Sequence, residues 1–395
     1  MEFVIKQSVL KEELGFVQGI VEKKSTIPVL SNILIESIGE GTIRFVGTDL
    51  DVTIRCEAPA DIKQAGAMCI QARKLFDIVR LLGDENVHFA KEENEWVKLT
   101  CGKSNFRLAG VSKENFPEVP SFKSAPMKLS AEIFNHFINN TAFAITNEQS
   151  RFTLSGAKFM IDGTSAKMVT TDGHRLAYIE KQLPESAQTE TMDALIPKKA
   201  LMELLKISRD SHGEVSFGED PNHIYFEVDG RLLITRKLSG SFPNYEMVIP
   251  KDNDKLATFD AEDMKAAIRR VALMADERTR SVKVTLRTGE IEIGAQSSEE
   301  GEANEKVAAD YTGEEVQIGF NSQYVQEFLN VATAKDTDAS TEPEQETEGE
   351  TVRVKEAASR PRVAFSFKDS NAQTQMNIDG DTNYNYKYIV MPLRI

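Results

Sequence analysis

Hydrophobic and polar positions follow the same order three times along the chain, with a period of about 125 residues. Each third begins with apolar residues at helical spacing, which predicts an amphipathic helix at residues 8–24, 130–148 and 260–277. After several strand-like segments, the same spacing predicts a second helix at residues 72–83, 197–209 and 321–335. A period this long indicates whole duplicated domains, because solenoid repeats are about 20–50 residues long.

Between the helices, apolar and polar residues alternate with the period of a β-strand. The segments "GTIRFVGTDLDVTIRCEA" and "HIYFEVDGRLLITRKL" show this alternation, which suits antiparallel sheets with one buried face. Turn residues at 229–230, 288–289 and 379–380 separate neighbouring strands. We therefore predict an α+β fold with two helices and about six to eight short strands in each repeat.

The repeats define three predicted domains in a chain of 395 residues, a length typical of about two to four domains. Pro, Lys and Ser interrupt the pattern near residues 121–127 and 250–255. We place the domains at residues 1–122, 127–250 and 251–395. Three similar domains in a row favour a curved or ring-like body over a single catalytic pocket.

The formal net charge of −15 at first argues against nucleic-acid binding, because DNA-binding domains are usually basic. Much of the acidity, however, lies at residues 297–305 and in a low-complexity stretch, about 335–351, predicted to be a disordered insertion in the third repeat. Cations instead recur on the predicted helices. They are Lys23 and Lys24, then Arg73, Lys74 and Arg80, and then Lys198, Lys199, Lys206 and Arg209. One such group is typical of a solvated helix face, but their recurrence favours a function.

Nothing in the sequence predicts a membrane span or a secretory signal. Cys56, Cys69 and Cys101 are an odd number of cysteines in strand-like contexts, without the close spacing of a zinc or redox motif. We expect reduced thiols and a cytoplasmic protein.

The stretch "TTDGHRLA" is the strongest candidate for catalysis, since Asp172 could orient the imidazole of His174 in a hydrolase. The alternative is a turn set by Asp172 and Gly173, with His174 hydrogen-bonded locally. The corresponding stretch of the first third, "GTDLDVTI", keeps the Thr-Asp pair and has no histidine. There is no nucleotide-binding glycine motif and no HExxH, and the five histidines are scattered, so no cofactor, no metal site and no enzymatic activity are predicted.

Seven segments in this order resemble the bacterial DNA sliding clamp family, the beta subunit of DNA polymerase III. They are "TIPVLSNILIE", "GTDLDVTI", "QARKLFDIVRLL", "TTDGHRLA", "SFPNYEMVIP", "IGFNSQYVQEFLN" and "YIVMPLRI". The resemblance implies a non-enzymatic processivity factor, a head-to-tail homodimer of three-domain subunits. Sheets would form the outside of this ring, and helices would line a channel around double-stranded DNA.

The resemblance also implies which residues contact DNA and the second subunit. Phosphate contacts without sequence specificity would come from Lys24, Arg73, Arg151 and Lys198. The family often has Arg at positions 24 and 198, so the bidentate fork is lost here while the charge is kept. At the subunit interface, a first set from one subunit would face a second set from the other. The first set is Lys74, Lys103 and Phe106, and the second is Leu273, Met274, Glu299, Glu300 and Glu302.

A third implied site is an apolar cleft that captures short extended peptides with Leu and Phe anchors. Its partners would be the replicative polymerase, the clamp loader, and repair and translesion polymerases. The matching residues are Thr171, Gly173, His174, Arg175, Leu176, Pro243, Met247, Val248, Tyr324, Val390, Met391, Pro392, Leu393 and Arg394. Two departures stand out: Met247 replaces a cation that many members carry, and the acidic insertion is longer than the usual loop.

Overall fold

The computed structural model describes residues 1–21, 27–120, 127–148, 150–184, 191–297, 301–334 and 360–394. The predicted insertion at about 335–351 lies outside the described residues, as do Lys23, Lys24, Glu299 and Glu300. The chain divides into two compact units. Unit 1 comprises Met1–Ile138, Gln149–Thr164 and Pro184–Gly240, and unit 2 comprises Asn139–Glu148, Ser165–Leu183 and Ser241–Ile395.

Six α-helices lie in the described residues, two in each third of the chain, and each directly follows a β-strand. They are α1 Gln7–Ile20, α2 Ala72–Val79, α3 Ala131–Thr141, α4 Lys198–Ser208, α5 Ala261–Val271 and α6 Ser322–Ala332. The sequence located all six correctly but made most of them too long. For example, α3 and α5 tighten into the 3₁₀ turns Ala142–Ala144 and Ala272–Met274 instead of continuing.

Unit 1 contains a five-stranded antiparallel sheet in the order β5-β1-β7-β8-β9. Its strands are β1 Glu2–Lys6, β5 Asp61–Gln64, β7 Asn86–Lys91, β8 Val97–Cys101 and β9 Ser104–Leu108. Within the described residues β9 ends this sheet, so one of its edges has no partner strand. Phe3 and Phe89 stack face to face at 4.7 Å between ring centroids and anchor β1 to β7.

A second sheet of unit 1 has nine strands in the order β10-β6-β2-β3-β4-β18-β17-β16-β11. Strands of the first third are β2 Asn32–Ile38, β3 Thr42–Thr48, β4 Val52–Pro59, β6 Ala67–Gln71 and β10 Gly110–Val111. Strands of the second third are β11 Met127–Ser130, β16 Glu214–Glu219, β17 His223–Val228 and β18 Arg231–Arg236. The two thirds join where β4 pairs with β18, from Arg55 opposite Leu232 to Val52 opposite Thr235. A further antiparallel pair is formed by β12 Gly156–Asp162 and β15 Met192–Pro197.

Unit 2 has ten strands in the continuous order β13-β14-β26-β25-β24-β19-β22-β21-β20-β23. They are β13 Ser165–Thr171, β14 Arg175–Gln182, β19 Lys255–Asp260, β20 Ser281–Arg287, β21 Glu290–Ser297, β22 Gly301–Asp310, β23 Val316–Asn321, β24 Arg362–Phe367, β25 Thr374–Ile378 and β26 Asn385–Val390. Helices α5 and α6 pack against each other, and α5 also packs on β21 and β22. Phe328 of α6 stacks on the buried ring of Tyr388 at 5.1 Å.

The α+β prediction is confirmed, but the strand count of six to eight per repeat is too low for the first third. That third has ten strands, because β5 and β10 are short additions that strict alternation does not reveal, and each other third has eight. The predicted turns are correct. Asp229 and Gly230 both adopt positive φ, +48° and +77°, as a two-residue hairpin turn requires.

All three cysteines are free and buried, as predicted. Burial raises the pKa of the Cys56 thiol well above its ordinary value, and raises the pKa of Cys69 to about 12. None of the described helices is long and apolar enough to cross a membrane.

Candidate functional site

The turn between β13 and β14 is held by its own threonine and aspartate. Thr171 Oγ1 accepts a hydrogen bond from the Gly173 amide at 3.1 Å and donates to the Arg175 carbonyl at 2.6 Å. Asp172 Oδ1 accepts from the amides of His174 at 2.9 Å and Arg175 at 3.1 Å. Gly173 adopts φ +90°, which glycine tolerates better than other residues. The turn interpretation of this stretch is therefore correct, and Asp172 is engaged with the backbone.

The carboxyl-terminal segment runs past this turn. The Met391 amide donates to the His174 carbonyl at 2.9 Å, and the Leu393 amide donates to the Gly319 carbonyl of β23 at 2.8 Å. Met391, Pro392 and Leu393 are half-buried, whereas Arg394 is exposed. Backbone hydrogen bonds thus fix a short apolar stretch against the turn and the end of β23.

Several candidate cleft residues lie beneath the surface. Leu176 and Val390 are buried in the sheet, and Val390 pairs with Arg175 across β14 and β26. Thr171 is buried as well. These three are therefore covered by other residues, whereas Gly173 and His174 are exposed to solvent.

Tyr324 of α6 lies beside the turn. The Tyr324 ring is stacked near the His174 imidazole, with 6.5 Å between the ring centroids. The Arg175 guanidinium lies 4.4 Å from the centroid of the Tyr324 ring. Burial and, to a lesser degree, Asp172 raise the pKa of Tyr324, so its phenol stays neutral. The structure thus brings together Tyr324, the turn and the carboxyl-terminal segment.

The segment at residues 241–250 contributes a 3₁₀ turn, Tyr245–Met247. Its Tyr245 ring lies 6.0 Å from the Tyr178 ring, which places the segment beside β14. Met247 is 81% exposed, Pro243 is exposed and Val248 is half-buried. An exposed methionine at a binding surface adapts well to partner side chains.

Arg175 is the least expected member of the site, since the residue is only 7% exposed and its side chain is surrounded by partners. Its Nε donates to Asp172 Oδ2 at 3.0 Å, its Nη2 to the Phe143 carbonyl at 2.7 Å, and its Nη1 to Glu327. Tyr388 Oη lies 3.5 Å from Nη1. Burial opposes the charged form, but Tyr388 and Glu327 outweigh it and raise the pKa of Arg175. The guanidinium is thus a permanently charged tie between separate segments of unit 2.

Sequence reasoning missed Glu327, Tyr388 and Phe143 as parts of this site. A signal was present for Glu327, which lies three residues after Tyr324 and therefore on the same face of α6. No local pattern identified Tyr388 or Phe143, because both reach Arg175 only through the tertiary fold.

The candidate DNA-contacting residues that the structure describes all lie in unit 1. Arg73 is half-buried on α2, and its Nε is buried and donates to none of the described residues. Lys198 begins α4, and Arg151 is exposed just before the 3₁₀ turn Phe152–Leu154. Lys24 lies outside the described residues.

Part of the predicted basic helix surface is neutralised. Lys199 binds Asp49 and the Ile20 carbonyl, and Lys206 Nζ is 2.6 Å from Glu203 Oε1. Arg80 lies 3.0 Å from Asp77. These cations are therefore engaged within the chain. Even so, the six α-helices carry about as many cations as carboxylates, in contrast to the acidic chain as a whole.

The candidate interface residues lie at surface positions of the two units. Phe106 is half-buried on the edge strand β9, and Lys74 and Lys103 are exposed. Leu273, in the 3₁₀ turn after α5, is 73% exposed, and Glu302 is exposed on β22. Glu299 and Glu300 lie outside the described residues, and Met274 is half-buried.

The carboxylate of the candidate catalytic pair is engaged within the turn. Asp172 bonds to the turn amides and to the Arg175 guanidinium. Among the described residues, no group of three or more His, Cys, Asp or Glu side chains could hold a metal ion.

Comparison with known proteins matches the three thirds in order. Models of the DNA polymerase III beta subunit match residues 1–120 with its N-terminal domain, 128–244 with its central domain and 246–340 with its C-terminal domain. The beta sliding clamp of Chlamydia pneumoniae is 32% identical over 330 residues, which is 83% of this chain and 89% of that protein. That of Caulobacter vibrioides is 34% identical over 333 residues, 82% of this chain and 89% of the relative.

Solved structures agree over the full length. The crystal structure of the DNA polymerase III subunit beta from Pseudomonas aeruginosa superposes with a TM-score of 0.86 at 28% identity and covers 100% of both chains. Sequence families and fold point to the same conclusion. The chain belongs to the DNA polymerase III beta-subunit family, the bacterial sliding clamps, which are non-catalytic processivity factors of DNA replication.

Proposed function

We propose that two copies of this chain join head to tail into a closed ring around double-stranded DNA and tether a polymerase to it. The observation that carries the proposal is the threefold order of strand-plus-helix elements in a chain whose fold matches a beta subunit from end to end. DNA and a DNA polymerase are the partners of this family. Action on bacterial DNA would take place in the cytoplasm, which is the location we propose.

The three thirds are the natural units of this ring, at residues 1–122, 127–250 and 251–395. Two unpartnered strand edges support a head-to-tail joint. Within the described residues β9 ends its sheet, and the first half of β22 pairs only with β21. Exposed edges readily accept a strand from another chain. Because the two edges differ, the contact is heterologous and closes only when the rotation per subunit fits.

Contacts to DNA in such a ring should be loose. Arg73, Arg151, Lys198 and Lys24 would meet phosphates, which gives an attraction that is independent of sequence and falls with salt. Carboxylates elsewhere on the acidic chain would repel DNA from other surfaces. A ring of this kind is retained by topology and not by affinity.

The cleft of unit 2 is the proposed site for peptides of the polymerase, the clamp loader, and repair and translesion polymerases. His174, Tyr324, Met247 and the residues 391–393 offer an exposed or half-exposed apolar surface with few polar groups. An extended peptide with Leu and Phe anchors suits such a surface. Two or three anchors at about 1.5–3 kcal/mol each would contribute roughly 3–9 kcal/mol before ordering costs, so hydrogen bonds from the peptide backbone must add to them for tight binding.

Retention on circular DNA tests the ring. The protein is loaded onto nicked circular DNA by the clamp loader of the same organism, and the bound fraction is measured by gel filtration before and after the circle is linearised. We expect retention on the circle and loss after cutting. The double variant Arg73→Glu, Lys198→Glu should load poorly.

Lys98→Glu is the matched control for charge reversal, because Lys98 is exposed on β8 and not on a helix. It should load like the parent protein. Tight, base-specific binding to a short linear duplex would contradict the ring.

A further inference from the structure

Unit 1 contains a turn with the same hydrogen bonds as the turn at residues 171–175. Thr48 Oγ1 accepts from the Leu50 amide at 3.0 Å and donates to the Val52 carbonyl at 3.2 Å. Asp49 Oδ1 accepts from the amides of Asp51 at 3.0 Å and Val52 at 2.7 Å. The third residue has positive φ in both turns, +80° for Leu50 and +90° for Gly173.

The strands that flank the two turns are fixed in the same way. The Arg236 amide donates to the Asp51 carbonyl at 2.9 Å, just as the Met391 amide donates to the His174 carbonyl. Two residues after Arg236, the Leu238 amide donates to the Leu195 carbonyl at 3.0 Å. This hydrogen bond corresponds to the one from the Leu393 amide to the Gly319 carbonyl, two residues after Met391. Unit 1 is thus an internal reference for the local architecture of the cleft.

Val52 occupies in the first turn the place that Arg175 occupies in the second. Since the backbone hydrogen bonds are the same, the turn does not require an arginine side chain. The Asp49 carboxylate is instead neutralised by Lys199 from α4. Neutralising Asp172 is thus one purpose of Arg175, and its contacts beyond the turn, which the aliphatic Val52 cannot make, indicate another.

The partners of Arg175 indicate that purpose. It joins the turn at Asp172, helix α6 at Glu327 and the carbonyl of Phe143. The planar guanidinium also lies over the Tyr324 ring, an arrangement that stacking and cation–π attraction favour. With four donor contacts made and 7% of its surface exposed, it has little left to offer a peptide.

We infer that Arg175 is a positioning residue, which holds the Tyr324 ring in the arrangement that captures a partner peptide without touching the peptide itself. This inference rests on the proposed function of the cleft. It differs from the role implied by family resemblance, in which Arg175 is one of the residues that contact the peptide.

Peptide affinity in a double-mutant cycle tests the inference. The full-length protein is titrated against a fluorescein-labelled octapeptide with Leu and Phe anchors, and Kd is measured by fluorescence anisotropy. Arg175→Met and Tyr324→Ala should each weaken binding about tenfold. Because Arg175 acts through Tyr324, the double variant should bind no more weakly than the weaker single variant.

Two further variants separate positioning from general stability. Arg175→Lys keeps the charge without the planar fork and should restore part of the affinity. Lys199→Met removes the corresponding cation at the turn of unit 1 and should leave Kd unchanged. If Arg175→Met fails to fold, Arg175→Lys and Tyr324→Ala complete the cycle.

Independent, multiplying losses in the double variant would overturn the inference, since they would mean that Arg175 contacts the peptide directly. Unchanged affinity in Arg175→Met would overturn it as well. If the parent protein does not bind the octapeptide, the proposed cleft itself is wrong, so the two failures are distinguishable.

Discussion

At the scale of single residues, the two related turns place different residues in the same left-handed backbone conformation. Gly173 adopts it without a Cβ penalty, whereas Leu50 adopts φ +80° with its side chain 46% exposed. A branched apolar side chain in this region costs about 1–2 kcal/mol. The backbone of Leu50 is therefore strained, and its side chain is too exposed for hydrophobic burial to offset that strain.

Exchanging these residues should move stability in opposite directions. Leu50→Gly relieves the strain but also raises the conformational entropy of the unfolded chain. We therefore expect the free energy of unfolding to rise by about 0.5 kcal/mol. Gly173→Ala should lose about 1 kcal/mol. Urea unfolding measured by circular dichroism checks both. Gly41→Ala is the control, because Gly41 has no positive φ and a methyl group added there would meet no atom within 4 Å. A loss of stability in Leu50→Gly would disprove the strain.

The sequence predicted this turn but not the environment of Arg175. Thr, Asp and Gly determine the turn through local hydrogen bonds, which a single sequence reveals. A buried arginine runs against the usual exposure of charged residues, and its partners come from residues 143, 327 and 388. Their proximity is a property of the tertiary fold.

At the scale of elements, periodicity located each α-helix in the described part of the chain but not the residue at which it ends. Apolar spacing continues past Val79 and Val271, where the backbone changes without a glycine or proline to mark it. The sequence also did not predict which strands pair with each other. Nothing in β4 or β18 indicates that they are neighbours, yet their pairing joins the first and second thirds.

Arg231 connects two elements of unit 1 through a largely buried charge cluster. Its guanidinium contacts Glu13 at 2.6 and 3.0 Å and Glu12 at 2.6 Å, and lies 4.3 Å from the Phe16 ring centroid. Hydrogen bonds to Glu13 raise the pKa of Arg231 despite its burial. The cluster therefore ties β18 to α1.

Arg231→Ala should destabilise unit 1 by about 3 kcal/mol, because it leaves the buried Glu13 carboxylate without its partner. Thermal unfolding and amide hydrogen exchange of α1 measure the effect. Lys63→Ala is the matched control, since its 2.6 Å ion pair with Asp61 is exposed and should contribute less than about 0.5 kcal/mol. Equal losses in both variants would show that burial does not decide the strength of these pairs.

At the scale of the whole molecule, the two compact units do not follow the three repeats. Residues of the second third are divided between them, with 139–148 and 165–183 in unit 2. Sequence repeats indicate how the chain was duplicated, whereas compactness reflects which surfaces pack. The repeat boundaries therefore remain predictions, and full-length similarity supports the clamp fold independently of them.

Leu273→Asp should convert the proposed dimer to a monomer. Apolar side chains at the centre of an interface contribute most of its affinity, and a buried carboxylate without a partner opposes association. Light scattering measures the mass. Leu256→Asp is the control, since Leu256 is 57% exposed on β19 and lies outside the proposed interface. Unchanged mass in Leu273→Asp would exclude this residue from the joint.

The buried thiols have a practical consequence for such experiments. A maleimide or a bifunctional crosslinker attacks the thiolate, which Cys56, Cys69 and Cys101 barely form at neutral pH because their pKa values are raised. New cysteines engineered at surface positions such as 106 and 273 would thus react selectively in the otherwise native chain. The protein is therefore suited to site-specific labelling, and the proposed ring could be crosslinked covalently without first replacing a natural cysteine.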